Sequence, residues 1–168
     1  MKKSNRRVTV LALGGVFVLL TASPAFAGGR GDNFNHPIPI QAVVGPKGIP
    51  YTDTHHTNNN ATTQTNEPTP SCQSSFSRTF WYVFSPPITE FYFANTIGSN
   101  FDTVLALYTY DGSTFTPLAC DDDSGAGHGG ANGTSWMQTP TLTVGTLYYF
   151  QVASYAAHSG YLVFNLND

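Results

Sequence analysis

Basic side chains are scarce: the 168-residue chain has seven Lys and Arg against ten Asp and Glu. Four of the seven (Lys2, Lys3, Arg6 and Arg7) stand at the start, ahead of an apolar run from Val8 to Leu20 and the small-x-small triplet Ala25-Phe26-Ala27. That order is the layout of a secretory signal peptide over residues 1–27. The apolar run falls short of the roughly 20 residues a membrane span needs, and no second run follows, which argues against membrane insertion. Cleavage after Ala27 leaves 141 residues, with three basic side chains against ten acidic, a net charge of −7 with histidines neutral. Such a surface repels phosphate backbones, so nucleic acid is excluded as a partner, whereas cations are favoured.

Cysteine is equally sparse. Cys72 and Cys120 are the only two, and export places them where disulfides persist. Joined, they close a loop of about 49 residues, worth roughly 4 kcal/mol by the chain-entropy argument. A cysteine nucleophile would need a thiolate, which that compartment oxidises.

Catalytic signatures are missing as well. No Gly-x-Ser-x-Gly and no His-Glu-x-x-His occurs, and Glu67 and Glu90 are the only glutamates available for paired-carboxylate chemistry. The expectation is a non-enzymatic protein, with a small hydrolase of unfamiliar design as the remaining catalytic alternative.

Helical periodicity is also lacking after residue 27. Short aromatic and β-branched runs take its place, bounded by Gly, Pro, Asn, Asp and Ser: Thr79–Phe84, Glu90–Thr96, Thr103–Tyr110, Phe115–Cys120, Met137–Thr143, Leu147–Ser154 and Gly160–Asn167, with weaker runs at Ile38–Val43 and Ile49–Thr54. Seven to nine strands in one domain, residues 28–168, predict an all-β, jelly-roll-like antiparallel β-sandwich. Alternation agrees: Tyr148, Phe150 and Val152 share a face opposed by Tyr149 and Gln151, and Leu162, Phe164 and Leu166 share another. Asp111-Gly112 and Gly145 supply turn chemistry. Residues 54–71 and 121–134 lack strand character and read as surface loops, where binding usually resides. A Cys72–Cys120 bond would draw these two loops together.

Several stretches resemble a known family: Asp32-Asn33-Phe34, Asn60-Ala61-Thr62 with Glu67-Pro68 before a cysteine, Trp81-Tyr82-x-Phe84, Phe101-Asp102-Thr103-Val104-Leu105-Ala106-Leu107-Tyr108, Ala119-Cys120-Asp121-Asp122-Asp123, and Tyr148-Tyr149-x-Gln151-Val152. Together they look like the bacterial pre-peptidase C-terminal domain, in the form with a paired cysteine. The resemblance implies a jelly-roll-like module attached to exported enzymes and used for targeting. It also implies calcium, which related collagen-binding modules hold near an acidic N-terminal stretch matched here by Asp32 and Asn33. Where those relatives carry acidic residues before the aromatic strand, this chain has Ser77, Arg78 and Thr79.

Asp121-Asp122-Asp123 is the strongest chemical feature. Three adjacent carboxylates repel one another, and a hard cation taking oxygen ligands relieves the repulsion. Asp32, Asp53, Glu67 and Asp102 are further candidate ligands if the loops converge. The competing reading is a solvated turn whose Asp side chains bond local amides. His55-His56 beside Asp53 suggests a transition metal, but neighbours on a regular strand point to opposite faces. Trp136, Tyr155 and Tyr161 are candidates for an aromatic platform that would stack on sugars. Arg30-Gly31-Asp32 spells an adhesion tripeptide. The expected function is a secreted or periplasmic, monomeric, calcium-stabilised binding or targeting module, its partner an extracellular protein or polysaccharide surface. The alternative is carbohydrate or surface-protein recognition by exposed aromatics.

Overall fold

The computed structural model describes residues 30–40 and 49–168. The predicted signal peptide and residues 41–43 of the first candidate strand lie outside them. Nine strands form: β1 Ile38–Ile40, β2 Tyr51–Thr57, β3 Phe76–Phe84, β4 Phe93–Asn95, β5 Thr103–Tyr110, β6 Phe115–Asp121, β7 Trp136–Gln138, β8 Tyr148–Tyr155 and β9 Tyr161–Asn167. A short 3-10 helix, Ser124–His128, lies between β6 and β7. The order is β2-β9-β4-β7 in one sheet and β1-β3-β8-β5-β6 in the other. Strands β2 to β9 therefore make a jelly roll, two Greek keys folded face to face. Strand β1 is an addition, pairing parallel to β3 where the sequence predicted antiparallel strands throughout.

The inward faces make the main core. Tyr82, Phe84, Leu105, Leu107, Phe150 and Val152 meet Ala94, Met137, Leu162, Phe164 and Leu166 between the sheets. Tyr82 stacks on Phe164 with ring centroids 4.3 Å apart. Each large apolar side chain buried here contributes roughly 1.5–3 kcal/mol.

The outer face of the five-stranded sheet is buried too, which the alternation did not predict. Phe34, Trp81, Ala106 and Tyr108 form a second apolar cluster there, flanked by Tyr110, Phe115 and Tyr149. The strandless stretch from Asn58 to Ser75 covers the remainder. Glu67 Oε1 accepts from Gln64 N and Thr79 Oγ1, both at 3.0 Å, and its Oε2 accepts from Gln151 Nε2 at 3.3 Å. Tyr108 donates to Gln151 Oε1 at 3.0 Å. Gln151, read as the solvent side of its strand, is completely buried because this polar layer covers it. Burial pushes the Glu67 carboxyl up despite these hydrogen bonds.

Several strand limits differ from the sequence reading, and β4 keeps only Phe93–Asn95 of the predicted Glu90–Thr96. β2 runs through His55 and His56 to Thr57, so the loop begins at Asn58. β3 starts at Phe76, upstream of a bulge between Ser77 and Phe80 where Arg78 takes φ +52°. The bulge turns the Arg78 guanidinium onto the carbonyls of Asn58 and Asn59. β7 stops at Gln138, short of the predicted Thr143, because Pro140 cannot donate to a ladder.

Candidate functional site

Cys72 and Cys120 are joined, with Cα atoms 5.6 Å apart. The bond brings the end of the 58–75 stretch against the acidic loop: Gln73 Nε2 donates to Asp122 Oδ2 at 3.0 Å. Four connections gather at this end of the sandwich, residues 58–75, 96–102, 122–135 and 156–160. Beneath them lies a buried hydroxyl cluster in which Thr96 Oγ1 and Thr103 Oγ1 stand 2.6 Å apart, and Ser135 Oγ donates to the carbonyls of Thr103 and Asp122. That cluster fixes the loop's exit, while glycines fix its middle. A Cβ on Gly125 would lie 2.3 Å from Thr134 Oγ1 and 2.5 Å from Thr134 O. Gly133, at φ +79°, rests against the Asp102 side chain.

The three consecutive aspartates take different roles. Asp121 builds the loop: it accepts from Ser124 N at 3.1 Å, from Ser124 Oγ, and from Trp136 N at 2.8 Å. Asp122 and Asp123 turn instead toward Asp102 at the start of β5. Among the described residues, Asp102, Asp122 and Asp123 are the group of three metal-ligating side chains whose ligand atoms lie within 4.8 Å of one another. Asp102 Oδ1 and Asp122 Oδ1 are both buried without a hydrogen-bond partner. Burial, then the charges of Asp123 and Asp122, pushes the Asp102 carboxyl up, with His158 opposing. Burial, with Asp123 and Asp121, likewise raises Asp122 against the Gln73 hydrogen bond. Oxygens that lack donors and crowd like charge suit a hard cation, which would supply both missing interactions.

The other proposed ligands are engaged elsewhere. Asp32 accepts from Thr62 N at 2.5 Å and from Thr62 Oγ1. Asn33 Oδ1 accepts from Asn35 N at 2.8 Å, and Glu67 lies in the covering layer described above. Asp32 is only 7% exposed, so the Arg30-Gly31-Asp32 triplet does not present its carboxylate to solvent.

The aromatic candidates have different ring partners. Trp136 is on β7, stacked between Phe93 at 5.5 Å and His128 at 3.7 Å. Tyr155 ends β8 in the other sheet and meets His158. Tyr161 begins β9 and is 68% exposed. No ring contact links Trp136, Tyr155 and Tyr161 to one another. A row the sequence reading missed runs Phe91, Phe93, Trp136, His128 beside the acidic loop. Pairing β4 with β7 is what assembles it, and neither short strand shows that neighbour by pattern.

Ala156 and Ala157 adopt φ +46° and +64° in the β8–β9 turn, closed by His158 N donating to Tyr155 O at 3.0 Å. Asn-Gly is the usual occupant of such a turn. On β2, a bulge between Asp53 and His56 brings both imidazoles to one carboxylate, overriding the strict alternation expected. No protein-family model matches the chain, and no curated protein matches it either.

Proposed function

We propose that this chain is a secreted, non-catalytic binding or targeting module whose disulfide-tied end holds calcium between Asp102, Asp122 and Asp123. The observation that carries the reading is the pair of buried, donorless carboxylate oxygens on Asp102 and Asp122. Water or an amide donor would satisfy a single acceptor, but three carboxylates within 4.8 Å also need their mutual repulsion cancelled. Calcium takes carboxylate and carbonyl oxygens in flexible geometry, which suits a loop rich in carbonyls better than the strict octahedron of magnesium. The likeness to pre-peptidase C-terminal domains and the predicted signal peptide support export and targeting. Calorimetric titration of the chelator-stripped protein tests the metal. A saturable heat and a raised melting temperature at millimolar calcium are expected, and both should vanish in Asp102→Asn. Silence in both measurements at that concentration would remove the calcium claim.

A second reading rests on the row Phe91, Phe93, Trp136 and His128, with Phe91 46% exposed. It is recognition of a carbohydrate or protein surface beside the acidic loop. Retention on insoluble polysaccharide or collagen that is lost in Phe91→Ala would support it. Equal retention of both proteins would remove it.

A further inference from the structure

The two sheets differ in what lies on their outer faces. The five-stranded sheet is sealed by its apolar cluster and by the polar layer of residues 58–75. Among the described residues, the four-stranded sheet carries no such layer on the half away from the disulfide. There the register sets the out-turned side chains in two rows across the strands. Thr52, Asn165, Asn95 and Trp136 form one, and Asn167, Phe93 and Gln138 form the next. None of them is charged, on a chain with ten acidic side chains.

The first row is bonded to itself. Thr52 Oγ1 donates to Asn165 Oδ1 at 2.9 Å, and Asn165 Nδ2 donates to Asn95 Oδ1 at 2.9 Å and to Ile97 O at 3.2 Å. The second row leaves its groups to solvent. Gln138 is exposed, Phe93 and Asn167 are half-buried, and among the described residues no hydrogen bond takes up either amide. Phe93 therefore has an open amide directly opposite it on each neighbouring strand. Phe91 meets its ring at 5.6 Å and 75°, so the two rings form a corner. Trp136 backs Phe93 from the other side at 5.5 Å, held in turn by the His128 stack.

We infer that this second row binds a neutral glycan, one pyranose seated on Phe93 with the Gln138 and Asn167 amides bonding its hydroxyls. Such binding rests on the second reading above, in which the row from Phe91 to His128 recognises a ligand. A pyranose presents an apolar patch of C–H groups bordered by hydroxyls that both donate and accept. An aromatic ring with an amide on either side matches that layout, since each amide offers one acceptor and two donors. Carboxylates stand at the margins, Asp121 at Trp136 N and Glu90 and Asp168 beside Tyr92, and they disfavour an anion. A peptide would instead add to a strand edge, and the edge beside this row, β7, offers three residues.

The test is affinity electrophoresis of the exported protein, in millimolar calcium, through barley β-glucan, arabinoxylan and galactomannan, with polygalacturonate as the charged counterpart. At least one neutral polymer should retard the protein, and polygalacturonate should not. Phe93→Ala should weaken that affinity about tenfold or more. Gln138→Ala and Asn167→Ala, on side chains turned away from the core, should each weaken it about fivefold. Tyr161→Ala, an exposed ring at the opposite end of the same sheet, should leave it unchanged. No retardation by any neutral polymer, equal retardation by polygalacturonate, or parental affinity in both amide variants would each overturn the inference. Retention on collagen that is lost in Phe91→Ala, without retardation by any glycan, would overturn it while leaving recognition by the aromatic row standing.

Discussion

The two ends of the sandwich use the same residue type in opposite ways. At the far end, Asp111 turns β5 into β6, and its Oδ1 accepts from Ser113 N at 2.8 Å and Thr114 N at 2.7 Å. Those donors hold the Asp111 carboxyl below its ordinary value. At the disulfide end, Asp102 and Asp122 bury oxygens that meet no donor, and both carboxyls are pushed up. The far end also exposes apolar side chains, Ile88, Val144 and Leu147, and turns in open space at Gly112 and Gly145, where an added Cβ would meet nothing within 4 Å. The Asp111 carboxylate is thus satisfied by its own turn, whereas Asp102 and Asp122 each keep a buried oxygen without a donor. A buried aspartate oxygen without a donor needs an explanation that a locally bonded turn aspartate does not.

The largest way to break this contrast is Cys72→Ala with Cys120→Ala. Loss of the bond should cost about 2–4 kcal/mol. Hydrogen exchange should rise in residues 58–75 and 121–134 well before the Asp111 turn. Next comes Asp121→Ala, which strips acceptors from Ser124 N and Trp136 N. The expected loss is about 1–3 kcal/mol by denaturant unfolding, together with the calcium response.

Asp102→Asn should have the opposite sign. The folded pKa of Asp102 lies above its unfolded value, so the native state holds the proton more tightly and stability falls as pH rises through that window. In chelator at neutral pH the variant should be more stable, a gain that disappears below about pH 4, where the unfolded chain is protonated too. Asp111→Asn should instead be less stable than the parent at neutral pH and equal to it in strong acid, since the pKa of Asp111 is lowered on folding. Parallel pH–stability curves for the two variants would abolish the distinction between the ends. The smallest effect is at Ala157, φ +64°, where glycine removes the left-handed penalty. Ala157→Gly should gain at most about 1 kcal/mol in thermal unfolding.

The sandwich was legible because aromatic and β-branched runs alternate. Thr103–Tyr110 coincides with β5, and Asp111-Gly112 forms the turn it suggests. The pairing of Cys72 with Cys120 and the meeting of their loops were legible from the predicted signal peptide and from position. The division of labour within Asp121-Asp122-Asp123 was not. Three identical neighbours differ only in which backbone amides the fold brings to them, and Trp136 N arrives from 15 residues away. The convergence of His55 and His56 on Asp53 was not legible for a related reason: alternation assumes a regular strand, and a bulge leaves no mark in the apolar pattern. The burial of Gln151 escaped because its cover comes from a stretch with almost no apolar residues.

That cover bears on how the molecule can be handled. A stretch rich in Asn, Thr, Gln and Pro is ordinarily the first choice for inserting a tag or fluorophore. Here residues 58–75 form a third layer, fastened by Glu67, Gln64, Arg78 and the Cys72 bond. An insertion there would peel the lid from Trp81 and Gln151. Labels belong at Gly112 or Gly145, where the chain turns in open solvent.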